Sequence, residues 1–267
     1  MHDAHLPEER RFDDYREYLA RAVGHQDRHE PLRAYLTGLC LPIERKSIEP
    51  LAARVDPLHV SARHQSLHHF GTQAPWEDAG LLRVARQEVL DQMVRHGGVM
   101  AWSLDDNGLP KKGVHSVGVA RQYFGNLGKE DHCQVAVSLS LVNETVSIPA
   151  AYRLYLPKEW ANKPARRWEA GASDGVHFQT KWQIGLDQLD ELRPEGVPEA
   201  PVVADAGYGT CTEFREALRE SGIPSVVGIL STATLWPPGK ALLPPLPQNP
   251  RGGPRPKRLQ RDCRHQP

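Results

Sequence analysis

Three aspartates stand where this sequence can do chemistry. Asp105 and Asp106 follow a short apolar run, Val99 to Leu104, and Asp205 follows another, Pro201 to Ala204. In open α/β sheets, sites form just beyond the carboxyl ends of strands. Carboxylates brought together there repel one another unless a cation neutralises them. A hard divalent ion such as Mg²⁺ takes such oxygen ligands. Two such ions about 4 Å apart can activate a water or a 3′-hydroxyl and stabilise the leaving oxygen of a phosphodiester. Spacing alone equally allows ordinary turn aspartates, because Asp and Asn favour turns. Both readings stand at this point.

Lys111, Lys112 and His115 follow the first acidic pair closely. A basic turn beside carboxylates suits a phosphate backbone; an exposed hairpin would also favour lysines. His64 and His68 lie four apart, a spacing that can serve zinc, but no Glu follows His64 and no third ligand is evident. Gly207-Tyr208-Gly209-Thr210 lacks the serine of a nucleophile elbow. Cys211 lies near an expected helix start, which can lower a thiol's pKa, yet no partner base is visible.

Around these residues the elements divide in two. Residues 1–97 read as a helical domain. Phe12, Tyr15, Leu19, Ala22 and Val23 recur at helical spacing before Gly24, and Leu82, Ala85, Val89 and Met93 form an apolar stripe closed by Gly97 and Gly98. Residues 98–236 read as a sheet with helices. Strands are expected at Val99–Leu104, Val117–Phe124, Cys133–Val142, Ala150–Leu156, Pro201–Ala204 and Val226–Leu230, with a turn at Asp105 to Gly108. Helices are expected at Thr180–Leu192 and after Thr210, where Thr210 and Glu213 have capping-box spacing. Residues 237–267 hold nine prolines and no apolar periodicity, and read as a disordered, basic linker.

Composition excludes some classes and leaves others open. Acids and bases balance at 33 each, so net charge names no partner. Their distribution is uneven: residues 251–264 hold six bases against Asp262, which could favour a polyanion. The four cysteines are too far apart in sequence for a metal knuckle or redox pair, and the first twenty residues carry no apolar leader segment. No run approaches the length of a membrane span. Reduced thiols and a cytoplasmic address are expected.

Several of these segments, taken in order, resemble one family. Asp105-Asp106-Asn107-Gly108 with Pro110-Lys111-Lys112-Gly113 is similar to the strand-ending Asp-Asp-Thr-Gly and Pro-Lys-Lys-Gly turn of the Asp-Asp-Glu (DDE) superfamily endonucleases of bacterial insertion-sequence transposases, with Asn107 in place of threonine. His115 to Tyr123, Cys133 to Ser138, Tyr152 to Pro157 and Ala204 to Gly209 match closely as well. The resemblance runs from about Arg45 to Trp236. It implies an RNase H-like mixed sheet with flanking helices, and metal-dependent cleavage and strand transfer of element ends into target DNA. It implies Asp106 and Asp205 as ligands of Mg²⁺ or Mn²⁺ in a two-metal arrangement, with Asp105 as the alternative to Asp106. DNA contacts are expected from Lys111, Lys112, His115 and Arg121.

The family's third acid is a Glu on a later helix, after an inserted segment. Glu213, Glu216 and Glu220 follow Asp205 immediately and do not match it. The expectation is a truncated or frameshifted copy, incomplete at the C-terminus and inactive alone. The alternative is a non-catalytic DNA-binding protein that competes or pairs with a full-length transposase.

Overall fold

Among the described residues, five α-helices precede the sheet: α1 (Glu8–Ala22), α2 (His29–Cys40), α3 (Ile48–Val55), α4 (Val60–Thr72) and α5 (Asp78–Arg95). Their apolar stripes close two cores. Leu19, Ala20, Val23, Leu32 and Phe70 make one, with Trp76 stacked on Phe70. Ala34, Leu51, Ala52 and Leu67 make the other. Helix α5 ends where Gly97 and Gly98 adopt positive φ, a backbone that favours glycine. This computed structural model describes residues 8–124, 128–172, 175 and 177–233. The expected linker at 237–267 lies outside them.

Six strands form one mixed sheet: β1 (Ala101–Pro110), β2 (Ala120–Phe124), β3 (Lys129–Val142), β4 (Ser147–Leu154), β5 (Val202–Ala204) and β6 (Ser225–Val227). The long strand β3 organises it. Cys133 pairs with both Pro110 and Ala120, so β1 lies along one edge of β3 and β2 along the other. Ala136 pairs with Asn107 and Leu154, which places β4 farther along the β2 edge. These contacts are antiparallel, whereas β1, β5 and β6 run parallel. Between β4 and β5 come α6 (Lys158–Ala161), α7 (Pro164–Glu169) and α8 (Lys181–Leu192). Between β5 and β6 come α9 (Ala206–Gly209) and α10 (Thr212–Glu220). The α/β class and the helix-flanked mixed sheet are those of an RNase H-like fold.

The main core joins Trp102, Leu104, Val137, Leu139 and Leu141 of the sheet to Ile184, Leu189 and Leu192 of α8, and to Phe214 and Leu218 of α10. A Cβ built on Gly185 would stand 2.5 Å from the Leu104 side chain, so α8 rests directly on β1. Helix α5 enters the same core through Met93 and touches β4. Arg86, only 5% exposed, donates Nη1 to the Ala150 carbonyl at 2.7 Å and pairs through Nη2 with Glu195. Replacing it by methionine would strand that carbonyl and leave Glu195 only its 3.8 Å contact with Arg83. An R86M chain should lose about 1–3 kcal/mol. In a unit of this size that is a fall of about 2–12 °C in Tm by thermal unfolding.

Two local expectations are corrected. The run from Asp105 to Gly108 is not a turn: β1 continues through it to Pro110, with every residue paired to β3. Weak strand propensity in Asp-Asp-Asn-Gly is overridden by ten consecutive cross-strand pairs. Thr210 does not cap α10 either. Its hydroxyl donates to the Ala206 carbonyl at 2.7 Å, and Cys211 occupies the cap position. The short helix α9 takes up the residues between Asp205 and Thr210. A capping box does form at the start of α8, between Thr180 and Gln183.

Candidate active site

Strand alternation decides where the acidic pair points. Trp102 and Leu104 are buried, and Asp106 continues their face, the one covered by α8. Asp105 is exposed and lies on the opposite face. It bonds locally, accepting the Asp106 amide at 2.7 Å. On that same face Asn107 donates to the Ser138 hydroxyl at 2.5 Å. The hydroxyl that the family pattern has at position 107 is thus replaced by an amide tied to β3.

Asp106 is held at both oxygens. Oδ2 accepts from the Lys181 ammonium at 2.5 Å, and Oδ1 accepts from the Tyr208 hydroxyl at 2.5 Å. Lys181 is the first residue of α8, and its Nζ also stands 5.5 Å over the Tyr155 ring. Burial, and then the Asp106 carboxylate, push the Tyr208 phenol far above its ordinary value, with smaller contributions from Asp205 and Asp105. It therefore remains a neutral donor. Burial followed by Asp106 raises Tyr155 in the same direction.

Asp205 reaches the same place from β5. The parallel register pairs Leu104 with Ala204, so Asp205 follows at the level of Asp105, one residue before Asp106. Asp205 has extended backbone and caps α9, its Oδ1 accepting the amides of Gly207 at 2.9 Å and Tyr208 at 3.4 Å. Its Oδ2 has no partner among the described residues. All three acids thus lie within electrostatic reach of one phenol, Tyr208.

The expected DNA contacts are partly assembled. Lys111, Lys112 and His115 are all exposed on the segment after β1. Lys111 donates its amide to the His132 carbonyl at 3.0 Å, and Arg121 pairs with His132 from the other edge of β3. Lys111, His132 and Arg121 therefore form a row across the sheet end. It lies about 17 Å from Asp106 at strand rise. Arg121 is already 3.6 Å from Glu130, which offsets part of its charge.

Sequence reasoning missed Lys181 and Tyr208 as parts of the site, and it missed α6 and α7. Arg166 of α7 lies 3.8 Å over the Trp160 ring and donates to the Val114 carbonyl at 3.0 Å, so these short helices hold the basic segment in place. Burial raises the Cys211 thiol, opposite to the lowering that its helix-start position allowed. The His64 and His68 rings stack at 6.0 Å, and no metal-binding cluster of three or more His, Cys, Asp or Glu exists among the described residues.

Comparison with known proteins shows the family of the chain. The family described as DDE superfamily endonuclease matches residues 18–267. The chain belongs to that family. It is also similar to the "Probable transposase for insertion sequence element IS701" of Microchaete diplosiphon, with 32% identity over 198 residues, which is 74% of this chain and 48% of that relative. The chain thus spans about half the length of the curated relative it matches.

DDE superfamily endonucleases generally depend on a divalent metal. The residues of this DDE family chain suit one by donor type: the converging side chains offer carboxylate oxygens and a phenol, with no thiol or imidazole. Mg²⁺ commonly keeps several waters and uses one or two protein carboxylates. Among the described residues Asp205 Oδ2 has no hydrogen-bond partner, whereas both Asp106 oxygens accept one. No helix of the described residues is long and apolar enough to cross a membrane.

Proposed function

We propose that this chain carries the carboxylate site and a DNA-contacting surface of an insertion-sequence transposase. In this reading Asp106 and Asp205 hold Mg²⁺ or Mn²⁺, with Asp105 as the alternative to Asp106. The observation that supports it most is that Asp106 accepts from the Tyr208 hydroxyl while Asp205, from the neighbouring parallel strand, lies within electrostatic reach of the same phenol. Bound metal would supply Lewis acidity at a phosphodiester. The chain's own groups do the positioning. Tyr208 and Lys181 orient Asp106, and the α9 amides orient Asp205. Lys111, Lys112 and His115 meet the backbone of the element end, with Arg121 beside them. Residues 1–97 add a helical DNA-binding domain ahead of the catalytic domain at 98–236, and the basic 237–267 segment adds charge. In this reading the protein acts on DNA in the cytoplasm.

A second reading has its own support. Among the described residues no cluster of three or more His, Cys, Asp or Glu that could hold a metal forms. On that reading the chain is catalytically incomplete. It binds element ends, and cutting needs a second copy or a full-length transposase. One experiment separates the two: this chain is incubated with supercoiled plasmid carrying an element end, with Mn²⁺ or EDTA, and both nicking and retardation are measured. Mn²⁺-dependent nicking that disappears in D205N supports a competent site. Salt-sensitive, end-specific retardation without nicking supports the binding reading. Neither signal would overturn both.

A further inference from the structure

Lys181 stands in a place that ordinary helix chemistry disfavours. It is the first residue of α8, where the helix dipole is positive and a cation is destabilising. Three features nevertheless hold it at Asp106. The Thr180–Gln183 capping box fixes the start of the helix. Gly185, one turn on, lets the helix lie against Leu104 of β1, with no room for a Cβ. The face of Tyr155 carries the ammonium from the side, 5.5 Å away. The Nζ that results is 2.5 Å from Asp106 Oδ2, with both side chains about one-third exposed.

A divalent cation at this carboxylate must contend with that ammonium. Tyr208 takes Oδ1 and Lys181 takes Oδ2, so both Asp106 oxygens already have a donor. We propose that Lys181 is a tethered counter-ion that neutralises Asp106 in the metal-free protein and is displaced when metal binds. The proposal rests on the reading of Asp106 as a metal ligand. It assigns Lys181 two states. Paired, it lets the aspartates stand together without a bound ion. Released, it stays anchored at the α8 N-terminus beside the site, as a cation for a phosphate oxygen of the DNA. Lys181 is here a positioning residue: in the paired state it acts through Asp106.

The test compares Mn²⁺ binding to this chain, read as loss of the free-ion electron paramagnetic resonance signal, for the unmodified protein, K181M and D106N. A contact occupied about nine-tenths of the time depresses apparent affinity about tenfold. K181M should therefore bind Mn²⁺ about tenfold more tightly, while D106N loses the ion. Equal or weaker binding by K181M, with D106N still deficient, overturns the counter-ion role and leaves the metal reading intact. No binding by any of the three overturns both. Should K181M not fold, the unmodified protein still decides. Lys181 should be methylated faster by formaldehyde and a borohydride reductant when Mg²⁺ is present. An unchanged rate would overturn the proposal.

Discussion

An Asp106→Asn chain should bind Mn²⁺ at least about a hundredfold more weakly than the unmodified protein, while Asp105→Asn keeps most of the affinity. Groups that merely hydrogen-bond a metal ligand are worth about 10–100-fold in affinity, so loss of a ligand's charge should reach or exceed the top of that range. The asymmetry comes from the strand pleat. Asp106 points to the α8 face with Lys181 and Tyr208, whereas the Asp105 side chain is turned to the other face and accepts only the neighbouring Asp106 amide. Folding should be little affected. The Asp106–Lys181 pair is about one-third exposed, and such pairs contribute roughly 0–1 kcal/mol. Thermal unfolding beside the Mn²⁺ titration separates loss of ligand from loss of structure. Should D105N lose the ion and D106N retain it, the ligand pair is Asp105 with Asp205, their neighbouring places in the parallel register.

Gly209→Ala should damage the fold itself. A Cβ at Gly209 would stand 2.0 Å from the Gly228 carbonyl oxygen and 2.8 Å from Val227 Cβ. The nearest obstacle is backbone, which cannot rotate away. On the facing side, a Cβ at Gly228 would meet the Ala206 amide nitrogen at 2.8 Å. Two glycines thus let α9 and the end of β6 touch main chain to main chain, and the turn carrying Asp205 is clamped between them. Overpacking at such a point costs about 3 kcal/mol or more. That corresponds to a fall of about 6–12 °C in Tm for a unit of this size. Mn²⁺ affinity should fall with it, because the Asp205 turn must shift. A melting temperature within a degree of the unmodified protein would show that the contact relaxes without cost.

Much of the architecture was legible because the apolar residues keep helical or strand periods. Leu19 and Val23 mark α1, Leu189 marks α8, and Val135 to Leu141 mark β3, all by spacing alone. Helices α6 and α7 were not legible. They hold four and six residues, too few for a period, and Pro164 reads as a breaker although it sits at the first turn. The run through Asp105 and Gly108 was misread because its residues favour turns, and only pairing with β3 makes them strand. Of the candidate site, the aspartates that follow apolar strand residues were legible, although β1 runs on past Asp105 and Asp106 to Pro110. Its partners were not: Lys181 lies 75 residues from Asp106 and Tyr208 lies 102. No local pattern signals a contact made by the fold at that range.

The adjacent acids of β1 look like a duplicated residue, as though either could stand in for the other. The pleat denies that redundancy. Sliding β1 by one position, so that Asp105 took the place of Asp106, would also turn Trp102 and Leu104 out of the core they anchor. Sliding the whole strand therefore sets the hydrophobic interior against the carboxylate. The two acids of β1 are tied to opposite faces as long as Trp102 and Leu104 hold the register.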